Sequence, residues 1–355
     1  MLAKFRFGAK NVRIRGLLPP KLAQHSGRSG LHCVARHPSH ITRYDPELWK
    51  KLPRLNDMAA AEDAAALVER YLKGEGFEAA PPESIDTEQQ LPLKLARSVQ
   101  ISPTAFVFVL SYPPELDAEF NCHVFSHFLL HGSHSAPVLE GKWNGAAQPA
   151  TEGNRVARKY TPVFVDRERR EAHFVIRIYR PSAQFPDGGR LTRYLESLKP
   201  QDPILLNPWT SRYALVQDGV LGTTEGNLDF RTLNIVAGGT GITPYVRFLI
   251  RNTSTRVNLL FCNKTLREIL LKPLFDELQR RGPLAVRYLV TSEDPAVADA
   301  YTPSSDEDIA FGKLSREFVE DFFERENSLL LCCGPAGMNL KARQIASDLG
   351  LRAAP

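Results

Sequence analysis

From Leu233 onward the sequence alternates between short apolar runs and helix-like segments, and this rhythm constrains the fold more than any other feature. Strands are expected at 233–237, 257–262, 285–291 and 329–333. Helices are expected at 244–251, 273–281, 315–323 and 338–349. Strand–helix alternation implies a parallel sheet with helices on its faces, and such sheets bind ligands beyond the carboxyl ends of their strands. Two glycine-rich turns fall at expected strand ends: Ala237-Gly238-Gly239-Thr240-Gly241-Ile242-Thr243-Pro244 and Cys333-Gly334-Pro335-Ala336-Gly337-Met338. Glycines let a backbone approach a pyrophosphate, and a helix start offers free N–H groups. Neither turn is a G-x-G-x-x-G fingerprint or a P-loop, and a plain tight turn can have the same composition.

The texture upstream is different. Short apolar runs at 93–95, 106–110, 123–130, 160–165 and 173–179 are broken by Pro103 and Pro113-Pro114, as in a β-barrel or sandwich. Residues 132–156 form a long Gly/Ser/Pro/Asn-rich loop between two of these strands. Before them, residues 45–90 are a helical extension and linker. Asn56 or Asp57 caps a helix through Leu72, Gly74 or Gly76 stops it, and Ala79-Ala80-Pro81-Pro82 marks the linker. The expected organisation is therefore a β-barrel domain over 91–228 and an α/β parallel-sheet domain over 229–355.

Charge excludes one class of partner. Nine of the 45 Lys/Arg lie in residues 1–44, ahead of the first acid, Asp45, so the remaining 36 bases face 40 acids. The basic charge is thus not spread over the folded body, and no nucleic-acid partner is expected. An acid-free, Arg-rich leader of this kind has the composition of a mitochondrial presequence, although a plain basic tail shares it. No apolar run reaches the roughly 18 residues of a membrane span. Cys33, Cys122, Cys262, Cys332 and Cys333 show neither disulfide-framework nor zinc spacing, so no metal is expected.

Two further segments carry candidate chemistry. In Arg158-Lys159-Tyr160-Thr161-Pro162 an Arg can pair with phosphate, a Tyr ring can stack on a planar ring, and a Thr hydroxyl can reach a ring nitrogen. Phe185-Pro186-Asp187-Gly188-Gly189-Arg190-Leu191-Thr192 is another glycine turn leading into a short helix, suited to a phosphate group. Taken singly, the first also fits a strand with a solvent-facing Arg, and the second a capped surface helix.

The order of these motifs, with Ile176-Arg177-Ile178-Tyr179, Leu260-Phe261-Cys262-Asn263-Lys264-Thr265 and Ile269-Leu270-Leu271-Lys272-Pro273, resembles the NADH–cytochrome b5 reductase family within the ferredoxin reductase superfamily. The resemblance runs from about Leu91 to Leu349. It implies an FAD-binding barrel, a nicotinamide-binding α/β domain, FAD and NADH as cofactors, and a small haem protein as electron acceptor. It places Arg158 on the FAD pyrophosphate, Tyr160 on the flavin and Thr161 near its reactive nitrogen. Ile176, Arg177 and Tyr179 would line the ribityl and adenine side with Phe185 nearby, and Arg190, Leu191 and Thr192 would donate to the pyrophosphate. Thr243 would approach the flavin, while Gly239 and Thr240 would meet the nicotinamide nucleotide. Cys333 would lie beside the nicotinamide, with Gly334, Pro335 and Met338 shaping its pocket. Thr161 and Cys333 are the expected catalytic residues, and His127 matches a barrel-strand His of the family. Glu268 would face the adenosine ribose and favour NADH over NADPH, with Lys264 and Arg267 beside it working against that preference.

Some residues depart from the family pattern. Phe125 stands where a Gly is usual, Asn207-Pro208-Trp209-Thr210 replaces an Arg-Gly-Pro turn, and the 132–156 loop is long. The family's last strand and C-terminal aromatic have no counterpart before Pro355. These departures leave a second reading beside an active reductase: a retained fold serving as a structural or assembly subunit of a mitochondrial complex. A third, an NADPH-dependent ferredoxin or flavodoxin reductase, runs against Glu268.

Overall fold

The computed structural model describes residues 58–74, 86–134, 136–147, 154–209, 211–304 and 307–355. The basic leader, the cap at Asn56 or Asp57, the Pro81-Pro82 linker and Thr210 lie outside them. A helix α1 (Met58–Leu72) leads into strands β1 (Leu91–Gln100), β2 (Ala105–Ser111), β3 (His127–Ser133), β4 (Lys142–Trp143), β5 (Ala146–Ala147), β6 (Arg155–Tyr160), β7 (Phe164–Asp166) and β8 (Glu171–Arg177). Helix α2 (Arg190–Ser197) and β9 (Pro203–Trp209) follow, then a meander of β10 (Tyr213–Gln217), β11 (Val220–Thr223) and β12 (Gly226–Asp229). The remainder is β13 (Thr232–Gly238), α3 (Thr243–Arg251), β14 (Arg256–Asn263), α4 (Lys272–Arg281), β15 (Leu284–Val290), α5 (Pro295–Ala300), β16 (Ile309–Phe311), α6 (Arg316–Phe322), β17 (Ser328–Cys333) and α7 (Ala336–Asp348). No helix among the described residues is long and apolar enough to cross a membrane.

The first sheet is antiparallel and curled, in the order β6-β3-β9-β1-β2-β8-β7. Strand β1 shows how the sequence sets it. Leu91, Leu93 and Leu95 alternate with exposed Pro92 and Lys94 and point into the barrel core. A bulge between Leu95 and Arg97 shifts the phase, so Val99 joins the outer core instead. Strand β2 is apolar throughout because both its faces are covered. Phe108 and Leu110 face the barrel interior, while Val107 and Val109 face the outer core.

The expectations for this sheet need four corrections. Residues 123–126 are not strand, and the 160–165 run is two strands broken at Thr161–Val163. The 132–156 loop contains the β4–β5 hairpin. Asn207-Pro208-Trp209 is not a turn but the end of β9, between β3 and β1. Prolines argue against a central strand. However, β1 pairs with β9 only as far as Leu206, so Pro208 lies beyond that ladder.

The second sheet is parallel, in the order β16-β15-β14-β13-β17. Helices α3 and α4 cover one face, and α6 and α7 the other. Its chain reverses direction of growth at β13, which pairs with β14 on one side and β17 on the other. That is the switch point where a crevice opens. Beyond α7, Leu330 and Ala353 form a parallel bridge, so residues near Ala353 occupy the sheet edge beside β17.

The two sheets share a seam. Fully buried Arg247 of α3 donates to the carbonyl of His123 at 3.1 Å and to the Cys122 sulfur at 3.3 Å. Phe125 packs on Phe248 with ring centroids 5.9 Å apart, which explains a large side chain at that position. Helix α1 lies along the same seam: Ala64, Leu67, Val68 and Tyr71 share a core with Val107 and Val109 of β2 and with Leu270 and Leu274.

Candidate active site

The carboxyl ends of the parallel strands and the edge of the curled sheet enclose a cleft of about 1170 Å³. One wall is the two glycine turns. Gly239 sits in a left-handed conformation (φ 53°), and Gly241 lies against the second turn so closely that a Cβ would fall 2.1 Å from the Cys333 carbonyl oxygen. Thr240, Thr243, Gly334, Pro335 and Met338 line the same wall. Cys333 lines it too; burial, with Cys332 beside it, pushes its thiol up to about 11, so it is a neutral group there.

The opposite wall carries His127, Lys159, Tyr160, Thr161, Val175, Arg177, Tyr179 and Thr192. Thr161 is buried, and burial raises the Tyr160 phenol to about 12. Burial and the nearby Lys159 lower His127 to about 4, so it is a neutral imidazole facing the cleft. Thr192, at the start of α2, accepts the Tyr179 N–H at 3.3 Å. Gly188 is left-handed (φ 66°), and a Cβ there would meet the Tyr179 carbonyl oxygen at 2.5 Å.

Several expected site residues stand elsewhere. Ile176 and Leu191 point into the barrel core, because successive side chains of β8 alternate and Val175 and Arg177 take the cleft side. Phe185 is half exposed and lies outside the lining. Arg158 is exposed on edge strand β6, donating to the Ala157 carbonyl, and is not part of the lining. The Arg190 guanidinium lies 5.3 Å from the Trp143 ring centroid, on the β4–β5 hairpin. That hairpin holds the glycine turn directly, since Trp143 Nε1 and Asn144 Nδ2 each donate to the Gly188 carbonyl at 2.9 Å.

Glu268 is expected at the adenosine ribose but is not among the residues lining the cleft. Its carboxylate pairs with Arg177 at 3.2 Å and accepts the Thr104 hydroxyl at 3.1 Å, with both members of the ion pair largely buried. It therefore ties the parallel-sheet domain to β8. Removing it would strand a buried guanidinium, so Glu268→Gln should cost about 2 kcal/mol in urea unfolding. An unchanged midpoint would show the pair to be incidental.

At the far end of the cleft the sequence reading named Lys264 but missed Thr291, Ser292 and Lys313. Lys264 follows β14, Thr291 and Ser292 follow β15, and Lys313 follows β16. The rule that ligands sit beyond carboxyl ends could have found them, because each lies just past an expected or edge strand. Among the described residues, buried side-chain atoms without a partner include His127 Nε2, Arg177 Nε and Nη2 and Asn263 Oδ1, all from residues of the cleft. The open Arg177 donors suit acceptor oxygens, the Asn263 Oδ1 acceptor suits an N–H or O–H of a ligand, and the adjoining glycine turns suit phosphates. The residues present thus fit FAD and a nicotinamide dinucleotide.

A curled antiparallel sheet followed by a parallel sheet, with a shared cleft of this kind, defines an FAD- and NAD-binding oxidoreductase. Residues 120–208 match the family model of the oxidoreductase FAD-binding domain, and residues 235–344 that of the oxidoreductase NAD-binding domain. The chain is 32% identical to mouse NADH-cytochrome b5 reductase 2 over 195 residues, covering 51% of this chain and 68% of that protein. It is 31% identical to bovine NADH-cytochrome b5 reductase 1 over 203 residues, covering 53% of this chain and 64% of the relative, just short of two thirds of its length. The chain belongs to the NADH-cytochrome b5 reductase family. The fold is shared with the cytochrome b5 reductase domain of Ulva prolifera nitrate reductase, with a TM-score of 0.61, 21% identity, and coverage of 77% of this chain and 97% of that one.

Proposed function

We propose that the protein oxidises NADH through FAD and passes electrons one at a time to a haem protein such as cytochrome b5. The observation that carries this reading is the single cleft joining Tyr160 and Thr161 of the flavin side to both glycine turns of the nicotinamide side. Bound FAD supplies the hydride-accepting and single-electron chemistry. The chain supplies alignment. The Tyr160 ring and Thr161 hydroxyl form one wall, and the turn at Gly239 and Thr240 offers backbone N–H groups to a pyrophosphate. Neutral Cys333 and neutral His127 place no charge beside the reacting rings.

Purified protein should be yellow, and anaerobic NADH should bleach its flavin absorption. Added cytochrome b5 should then be reduced. A flavin that NADH leaves oxidised would overturn the reading. The acid-free basic segment supports delivery to mitochondria, so residues 1–44 fused to a fluorescent protein should co-localise with a mitochondrial dye. Diffuse fluorescence would remove that assignment.

A further inference from the structure

The lining at the far end of the cleft has no use in the reading above. The chain holds 40 Asp and Glu, yet none lines the cleft, while Lys159, Arg177, Lys264, Lys313 and Lys341 do. Arg177 stands beside the Gly239 turn, where its Nη2 would lie 3.5 Å from a Cβ. Lys159 lies 4.5 Å from the Trp209 ring on the flavin side. Lys264 and Lys313 stand apart from both, and neither forms an ion pair among the described residues. Acids near them are engaged elsewhere: Asp308, five residues before Lys313, pairs with Arg287 at 2.8 Å. Glu268 holds Arg177 and Thr104, and Glu293, next to Ser292, accepts the Leu266 N–H at 2.7 Å.

Topology says which part of a dinucleotide reaches this end. The nicotinamide must meet the wall of Tyr160 and Thr161, and the pyrophosphate takes the Gly239 turn. Beyond β17 the sheet has only the single Ala353 bridge, so the rest of the ligand extends over β14, β15 and β16. There an adenosine ribose comes to Lys264, Ser292 and Lys313. A carboxylate at this point accepts from a 2′-hydroxyl and repels a 2′-phosphate; cations with a hydroxyl do the reverse. We propose that Lys264, Ser292 and Lys313 form a subsite for the 2′-phosphate of the dinucleotide, so that the cleft binds NADPH as well as NADH. This rests on the reductase reading above and departs from the selectivity that Glu268 would have imposed.

The test is calorimetric titration of the FAD-loaded full chain with 5′-AMP, 2′,5′-ADP and 3′,5′-ADP. The 2′,5′-ADP should bind about tenfold or more tightly than 5′-AMP, as for a newly made charge-assisted phosphate contact. It should also bind more tightly than 3′,5′-ADP, which carries equal charge in the wrong place. Combining Lys264→Ala with Lys313→Ala should bring the 2′,5′-ADP to 5′-AMP ratio close to one. Equal affinity for 5′-AMP and 2′,5′-ADP would overturn the proposal. So would 3′,5′-ADP matching 2′,5′-ADP, since that is general attraction to charge, or a ratio that survives the double substitution. These outcomes are separate from the reductase reading, which fails only if NADH does not reduce the flavin.

Discussion

Gly241→Ala should destabilise the parallel-sheet domain by about 3 kcal/mol or more and slow flavin reduction by NADH about a hundredfold. A Cβ on Gly241 would fall 2.1 Å from the Cys333 carbonyl oxygen, 2.5 Å from its carbonyl carbon and 2.8 Å from the Gly334 nitrogen. All three are backbone atoms, held by β17 in its ladder with β13, so no side chain can rotate away. The two turns must separate, and the wall facing Tyr160 and Thr161 moves with them. Gly337 is the control. It lies in the first turn of α7 with nothing within 4 Å of the place a Cβ would take, so Gly337→Ala should leave the unfolding midpoint unchanged or slightly raised. Gly239 differs again: it needs a left-handed backbone, and a Cβ there meets only the Arg177 guanidinium at ordinary contact distance. If Gly241→Ala unfolds at wild-type urea with wild-type reduction, the turns are not packed as described.

What was legible in the sequence follows from the range of each signal. Four strands of the parallel sheet were legible because each is a short apolar run, and runs such as that at Leu259-Leu260-Phe261 need no partner to be recognised; the three-residue β16 was too short to stand out. The glycine turns were legible as local composition. Their reason was not, because Gly241 is constrained by Cys333, a residue 92 positions away in sequence. Strand β9 was hidden by Pro203, tolerated as the first residue of the strand, and by Pro208, which lies beyond the point where β1 stops pairing. Val175 and Ile176 are equivalent in composition, and only the register of β8 against β2 decides which one reaches the cleft. The contacts of Glu268 were not legible from its position. Its neighbours in sequence match the family pattern, yet its carboxylate is taken up by Arg177 and Thr104, which come from another domain.

Helix α1 should prove structural, not a detachable extension. Tyr71 is fully buried, stacks on Phe164 with centroids 4.8 Å apart, and shares a 3.0 Å hydrogen bond with His173 Nδ1. Tyr71→Ala should cost about 3–5 kcal/mol, whereas Tyr71→Phe keeps the ring and should cost about 1 kcal/mol. Around this pair, Arg70 reaches Asp166 and Glu171, and Arg97 donates to Glu171 at 2.8 Å. Burial lowers His173, holding it neutral. Burial alone would raise Glu171, but hydrogen bonds from Arg97 and Arg70, with His173 Nε2 3.5 Å away, hold its carboxyl well below the usual carboxylate range. Both directions make the folded state lose ground in acid. Below the ordinary His value of 6.5 the unfolded chain takes up a proton that buried His173 refuses, so stability falls as pH drops. Below the ordinary Glu value of 4.5 the unfolded carboxyl protonates first, and the contribution of Glu171 is lost as well. Urea midpoints should therefore begin to fall below about pH 6.5 and fall more steeply below about pH 4.5. Burial lowers His123 and His127 too, so the informative quantity is the difference made by one substitution. His173→Gln should flatten the upper part of the curve and leave the lower part in place. An upper limb of unchanged slope would mean that the proton is taken up by His123 at the seam or His127 at the cleft, and not beneath α1.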